Sequence, residues 1–162
     1  PRRAAAEGLA RSVRPEDEGF LLEALANAPE TSRFALCQAL GKVGGTASLS
    51  PLLDLLEDPF ARGEAAEAAA QVALRTGAPE AALERLRRGG LGEPWSWGPR
   101  ARLGDTGWAE VLAADWERLP PPQRLQALEA AAQAPKELRQ RLKTALRDRV
   151  GALNLQRLLD SL

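Results

Sequence analysis

The apolar skeleton of the chain recurs every 30–31 residues. Leu9, Leu22 and Leu25 return 31 residues later as Leu40, Leu53 and Leu56, and Ala35, Ala39 and Val43 return after the same interval as Ala66, Ala70 and Leu74. Leu53 and Leu56 recur again 30 residues on, as Leu83 and Leu86. A fixed period of this length constrains the fold more than any single element does. Each unit is a small supersecondary structure that must stack on its neighbours to bury its apolar face.

Within a unit, an apolar helical pattern (helix A), a turn bearing Gly or Pro, and a second apolar helical pattern (helix B) follow one another, which describes a helical hairpin. Composition agrees: 31 Ala and 28 Leu stand against five Val, five Thr and no Ile or Tyr, favouring helix over strand. In the second unit, helix A is predicted over 31–43, with Thr31 as N-cap and Gly44-Gly45 ending it in a left-handed cap, and helix B over 47–57. In the first, Pro15 opens helix B, and Glu16, Asp17 and Glu18 occupy the first turn, where acids favour the positive end of the helix dipole. The period breaks at the Gly/Pro-rich stretch 89–99. Beyond it a degenerate unit is expected to use 100–103 and 108–119, and a regular one 123–134 and 136–149. The expectation is an all-α, right-handed α-solenoid of about five hairpins forming a single array over 1–162. Its units are 1–28, 29–58, 59–90, 91–120 and 121–150, followed by a capping helix at 153–162.

The residues Leu40, Gly41, Val43, Gly44, Leu52, Leu53, Leu56, Asp58 and Pro59 fit the pattern LGxIGDPxAVPxLLxxLxDP. The first unit carries the pattern through Leu9, Val13, Pro15, Leu21, Leu22 and Leu25. This unit resembles the short HEAT-like repeat of the phycobilisome-lyase type. The resemblance implies a superhelix whose B helices line a concave face where partners bind. The signatures of the ankyrin and tetratricopeptide repeats, which have similar periods, are absent.

Much chemistry is excluded by what the chain lacks. With no His, it has no Ser-His-Asp or Cys-His arrangement and no His-ligated metal. The single Cys37 forms neither an internal disulfide nor a thiolate cage, and its place between Phe34 and Leu40 predicts a buried, inert thiol. Glycines 89, 90 and 92 form no phosphate loop. Asp54, Glu57 and Asp58 sit where the resembling repeats carry routine surface charge. No catalytic residue, metal or cofactor is expected. The deoxyhypusine hydroxylases and epoxyqueuosine reductases, enzymes built on HEAT arrays, need His-Glu ligand sets and cysteine clusters that are missing here. The 22 basic and 22 acidic residues balance, so no net field favours nucleic acid or an anionic membrane. No apolar run reaches the ~20 residues of a membrane span. Three Lys against 19 Arg suggest a GC-rich bacterial source. The chain is expected to be soluble and cytoplasmic. It begins at Pro1 and holds no Met, so its N-terminus is expected to be processed, trimmed or continued upstream.

Two features point to binding. Trp95, Trp97, Trp108 and Trp116 cluster at the period break. Trp95 and Trp97, read as loop residues beside Arg100 and Arg102, are candidates for an aromatic contact surface, with core filling as the alternative. Trp108 and Trp116 share a helix face and read as core. In the last hairpin, Leu138, Leu142, Ala145 and Leu146 form a buried stripe, while Lys136, Arg139, Lys143 and Arg147 line up as a basic one. Residues 136–149 hold six basic and two acidic side chains. The leading expectation is a non-catalytic scaffold that holds a protein or peptide partner along the B-helix surface. One alternative is nucleic-acid binding or base repair of the DNA-alkylation-repeat type, with Trp108, Trp116 and Asp115 as its only candidates. A chromophore lyase or chaperone subunit is the other.

Overall fold

The computed structural model describes residues 12–88 and 93–147. The expected capping helix 153–162, the glycines at 89, 90 and 92, and Leu9 lie outside them. Among the described residues every regular element is helical, and they fall into two compact units, residues 1–86 and 87–162. The fold is all-α and HEAT-like. The unit boundary lies four residues before the 90/91 break expected from the repeat.

In the first unit a 3-10 turn, Pro15–Asp17, leads into α1 (Glu18–Ala26). There follow α2 (Glu30–Val43), α3 (Thr46–Asp54) with a 3-10 extension Leu55–Glu57, α4 (Arg62–Thr76) and α5 (Pro79–Arg87). The A helices α2 and α4 pack side by side, the B helices α1 and α3 touch, and α1–α2 and α3–α4 complete the stack. Small residues set the spacing of α2 and α4. A Cβ at Gly41 would come within 3.0 Å of the Ala68 Cα, and Ala65, Ala66, Ala69 and Ala70 are buried on the same helix. The two backbones meet here more closely than a side chain at Gly41 would allow.

Three local expectations are corrected. Helix α2 begins at Glu30 with Pro29 at its cap, so Thr31 lies inside the first turn. Gly44 is extended (φ −62°, ψ 142°) rather than left-handed. Glycine is needed there because a Cβ would sit 2.5 Å from both the Leu40 carbonyl oxygen and the Ser48 hydroxyl. The left-handed cap in this unit occurs at Gly77 (φ 72°), whose N–H donates to the Ala73 carbonyl at the end of α4. Leu74, expected in the core, is 48% exposed.

The helix ends of this unit are completed by neighbouring repeats. The Glu18 carboxylate accepts the Gly45 N–H at 2.7 Å and the Ser48 hydroxyl at 2.6 Å, capping α3 from α1. Within its own turn the acidic triplet supplies Asp17, which accepts the Arg14 N–H. At the opposite pole, the Arg75 guanidinium donates to the carbonyls of Gly41, Lys42 and Gly44, satisfying orphan acceptors at the carboxyl end of α2. Arg85 donates to the Leu53 carbonyl and to Asp54. Asp58, expected as routine surface charge, holds Arg33 at 2.5 Å and accepts the Phe60 N–H.

In the second unit a 3-10 turn, Pro94–Ser96, precedes α6 (Trp97–Arg102), α7 (Thr106–Asp115) with the 3-10 extension Trp116–Arg118, α8 (Pro121–Ala132) and α9 (Lys136–Arg147). Helix α6 packs on α8 and α7 on α9, A on A and B on B. Its core sets Trp97, Trp108 and Trp116 among Leu112, Leu128, Leu138, Leu142 and Leu146, with alanines filling between them. The Trp108 indole N–H is fully buried without a hydrogen-bond partner. Its large apolar area offsets a penalty of about 1–3 kcal/mol.

Candidate interaction surface

The tryptophan segment is packed rather than presented. Trp97 is the first residue of α6 and only 1% exposed, which corrects the expectation of a loop indole facing a partner. Trp95 is half-buried in the preceding turn, where its indole N–H donates to the Glu93 carboxylate. Arg102 is partly exposed and donates to the Gln133 side chain at 2.6 Å, tying α6 to α8.

Arg100 is buried at 6% exposure, so its expected place beside an exposed indole is also corrected. Its Nε donates to Asp105 Oδ2 at 2.7 Å across the turn between α6 and α7, and its carbonyl accepts the Asp105 N–H. Arg87 reaches Asp105 Oδ1 through Nε and Nη2 at 3.3 and 3.2 Å. Burial is the largest influence on Asp105 and disfavours its charge, yet the two arginines outweigh it and hold the carboxyl below the usual carboxylate range. Asp105 was not singled out from the sequence. The available signal was Gly104-Asp105, which repeats the Gly-Asp pair of the pattern LGxIGDP.

Helix α9 retains an exposed functional candidate. Leu138, Leu142 and Leu146 are buried on one side, and Ala145 is exposed rather than part of that stripe. Lys136 and Arg147 are exposed, and Arg139 and Lys143 are half-buried beside Glu137, Gln140, Arg141 and Thr144. Three steps of i+3, i+4 and i+4 from Lys136 through Arg139 and Lys143 to Arg147 thus keep cations along one flank of a helix whose leucines are docked on α7 and α8. A small recess of about 50 Å³ between α7 and α9 is lined by Thr106, Glu110, Arg141 and Leu142, too small for more than a water or two.

Reactive groups are sparse elsewhere. Cys37 is fully buried, and burial, with Glu64 and Asp58 nearby, pushes its thiol up to about 12. Among the described residues no group of three or more His, Cys, Asp or Glu side chains is placed to hold a metal ion. No helix there is long and apolar enough to cross a membrane. The candidates for base repair do not converge: Trp108 and Trp116 are buried, and Asp115 pairs with Arg118 at 3.1 Å.

A family model described as HEAT repeats matches residues 1–74, which reach through most of α4. The chain is a HEAT-like repeat protein. No curated protein and no solved structure matches it.

Proposed function

We propose that this protein is a non-catalytic scaffold whose α9 face binds an acidic segment of a protein partner. The observation that carries the reading is the division of α9. Its leucines are consumed by the core, while Lys136, Arg141 and Arg147 are left on the exposed side of a neutral chain. HEAT repeats commonly serve protein interaction, and a rigid helix bearing cations at fixed spacing suits a carboxylate-rich peptide. A polyglutamate peptide serves as the probe. Charge reversal through Lys136→Glu, Lys143→Glu and Arg147→Glu should abolish its binding and the salt dependence of that binding, with the melting temperature nearly unchanged. Undiminished binding by the reversed chain would remove α9 from the reading.

A further inference from the structure

The balanced charge of the chain conceals a division between its units. Residues 1–86 contain 13 acidic and 9 basic side chains, net −4, whereas residues 87–162 contain 9 acidic and 13 basic, net +4. Within the first unit the excess is concentrated in one helical layer. The B segments 15–27, 46–57 and 79–86 hold eight acidic residues and one basic residue, Arg85, which is engaged with Asp54 and the Leu53 carbonyl. Among the described residues of the unit, Arg33, Lys42, Arg62 and Arg75 lie on the A helices, where Arg33 is held by Asp58 and Arg75 by the end of α2.

The B helices are in register. Glu18 on Ser48 aligns α1 with α3 at an offset of 30, and Arg85 on Asp54 aligns α5 with α3 at 31. The same offsets bring Phe20, Ser50 and Ala81 to equivalent positions, all exposed, and set Glu23 level with Glu84, with exposed Asp54 one residue out of that step. Phe20 is 73% exposed at the head of the first row. The layer therefore offers a shallow row of one aromatic and two small residues with an acidic edge. Helix α9 presents the complement: Gln140, Thr144 and Ala145 are exposed between Lys136, Arg141 and Arg147.

We propose that the acidic B-helix layer of the first unit is the docking surface for the α9 face of a second copy of this chain. The proposal rests on the reading of α9 as a binding surface and names its partner. Both surfaces occur once per chain, their charges are opposite, and a net charge of zero removes the long-range repulsion that keeps identical copies apart. Phe20 supplies the apolar anchor that a charged rim requires for a specific contact.

Sedimentation velocity of the full chain tests this. At about 50 mM salt the sedimentation coefficient should rise with concentration, and at about 500 mM salt, where the screening length falls toward a few ångströms, the rise should disappear. Glu23→Lys with Glu57→Lys should weaken association about tenfold or more, as should Lys136→Glu with Lys143→Glu, and mixing the two variants should restore it. Phe20→Ser should weaken it as well, with the circular dichroism unchanged. A chain that remains monomeric at low salt overturns self-docking. If that chain still binds polyglutamate through α9, the reading of α9 stands with a foreign partner, and if it does not, both fall. Association that ignores salt, or that the mixed variants fail to restore, likewise overturns the proposal.

Discussion

Glu18 and Ser48 stand one repeat apart, and the carboxylate of the first accepts the hydroxyl of the second at 2.6 Å while also taking the Gly45 N–H. A residue at the start of one B helix thereby serves as the N-terminal cap of the next. The hydroxyl of Ser48 is the largest influence holding the Glu18 carboxyl below its ordinary range, against the opposing effect of burial.

Glu18→Ala should destabilise the protein by about 1 kcal/mol, the usual value of a lost N-terminal cap. Urea titration at neutral pH measures it. A change below a few tenths of a kcal/mol would mean that water replaces the carboxylate at no cost.

Trp97→Ala should cost roughly 3–5 kcal/mol, as expected for truncating a core indole. The check is a chemical melt combined with near-ultraviolet circular dichroism. A stable variant would contradict the packed position of this side chain.

Asp105→Asn removes the countercharge of buried Arg100 and should cost roughly 3 kcal/mol, the low end for breaking a buried pair, since the amide still accepts one hydrogen bond. The folded pKa of Asp105 lies below its unfolded value of about 3.9, so the stabilisation is complete above that value and fades as pH falls through the folded pKa. The midpoint difference between pH 7 and pH 3 should therefore be smaller in the variant than in the parent chain. An equal difference would remove Asp105 from the acid response.

Two glycines should respond in opposite directions. Gly19→Ala, in α1 with nothing within 4 Å of the new methyl, should stabilise by about 0.4–1 kcal/mol. Gly44→Ala meets the Leu40 carbonyl oxygen at 2.5 Å and should destabilise by about 1–3 kcal/mol, the usual range for overpacking. Thermal melts of the pair decide the matter, and a shift of the same sign in both would refute the steric account of Gly44.

The hairpins and most of the core were legible because the 30-residue period and the 3.6-residue helical pattern both act through side chains such as Leu40, Leu53 and Leu86, whose burial follows from position alone. Trp97 was misread because Gly98-Pro99 looks like a break. Pro99 instead occupies the first turn of α6, where a helix has backbone N–H groups to spare and the missing donor costs nothing. Arg100 was misread for a different reason. Its partner Asp105 lies five residues on across a turn, a relation that no helical-face pattern contains. The basic flank of α9 was legible in the same way as the leucines opposite it, whereas the exposure of Ala145 depends on which neighbours reach that far along the helix.

The exchanged helix caps of the first unit bear on how it can come apart. Because Glu18 closes α3, Arg75 closes α2 and Arg85 reaches back to the end of α3, detaching one hairpin strips its neighbour of terminal hydrogen bonds as well as of apolar cover. Fraying from either end is thereby discouraged, and the loss of one hairpin propagates to the next. Cooperativity in this array is carried by polar cross-bracing between successive hairpins in addition to the stacking of leucines and alanines.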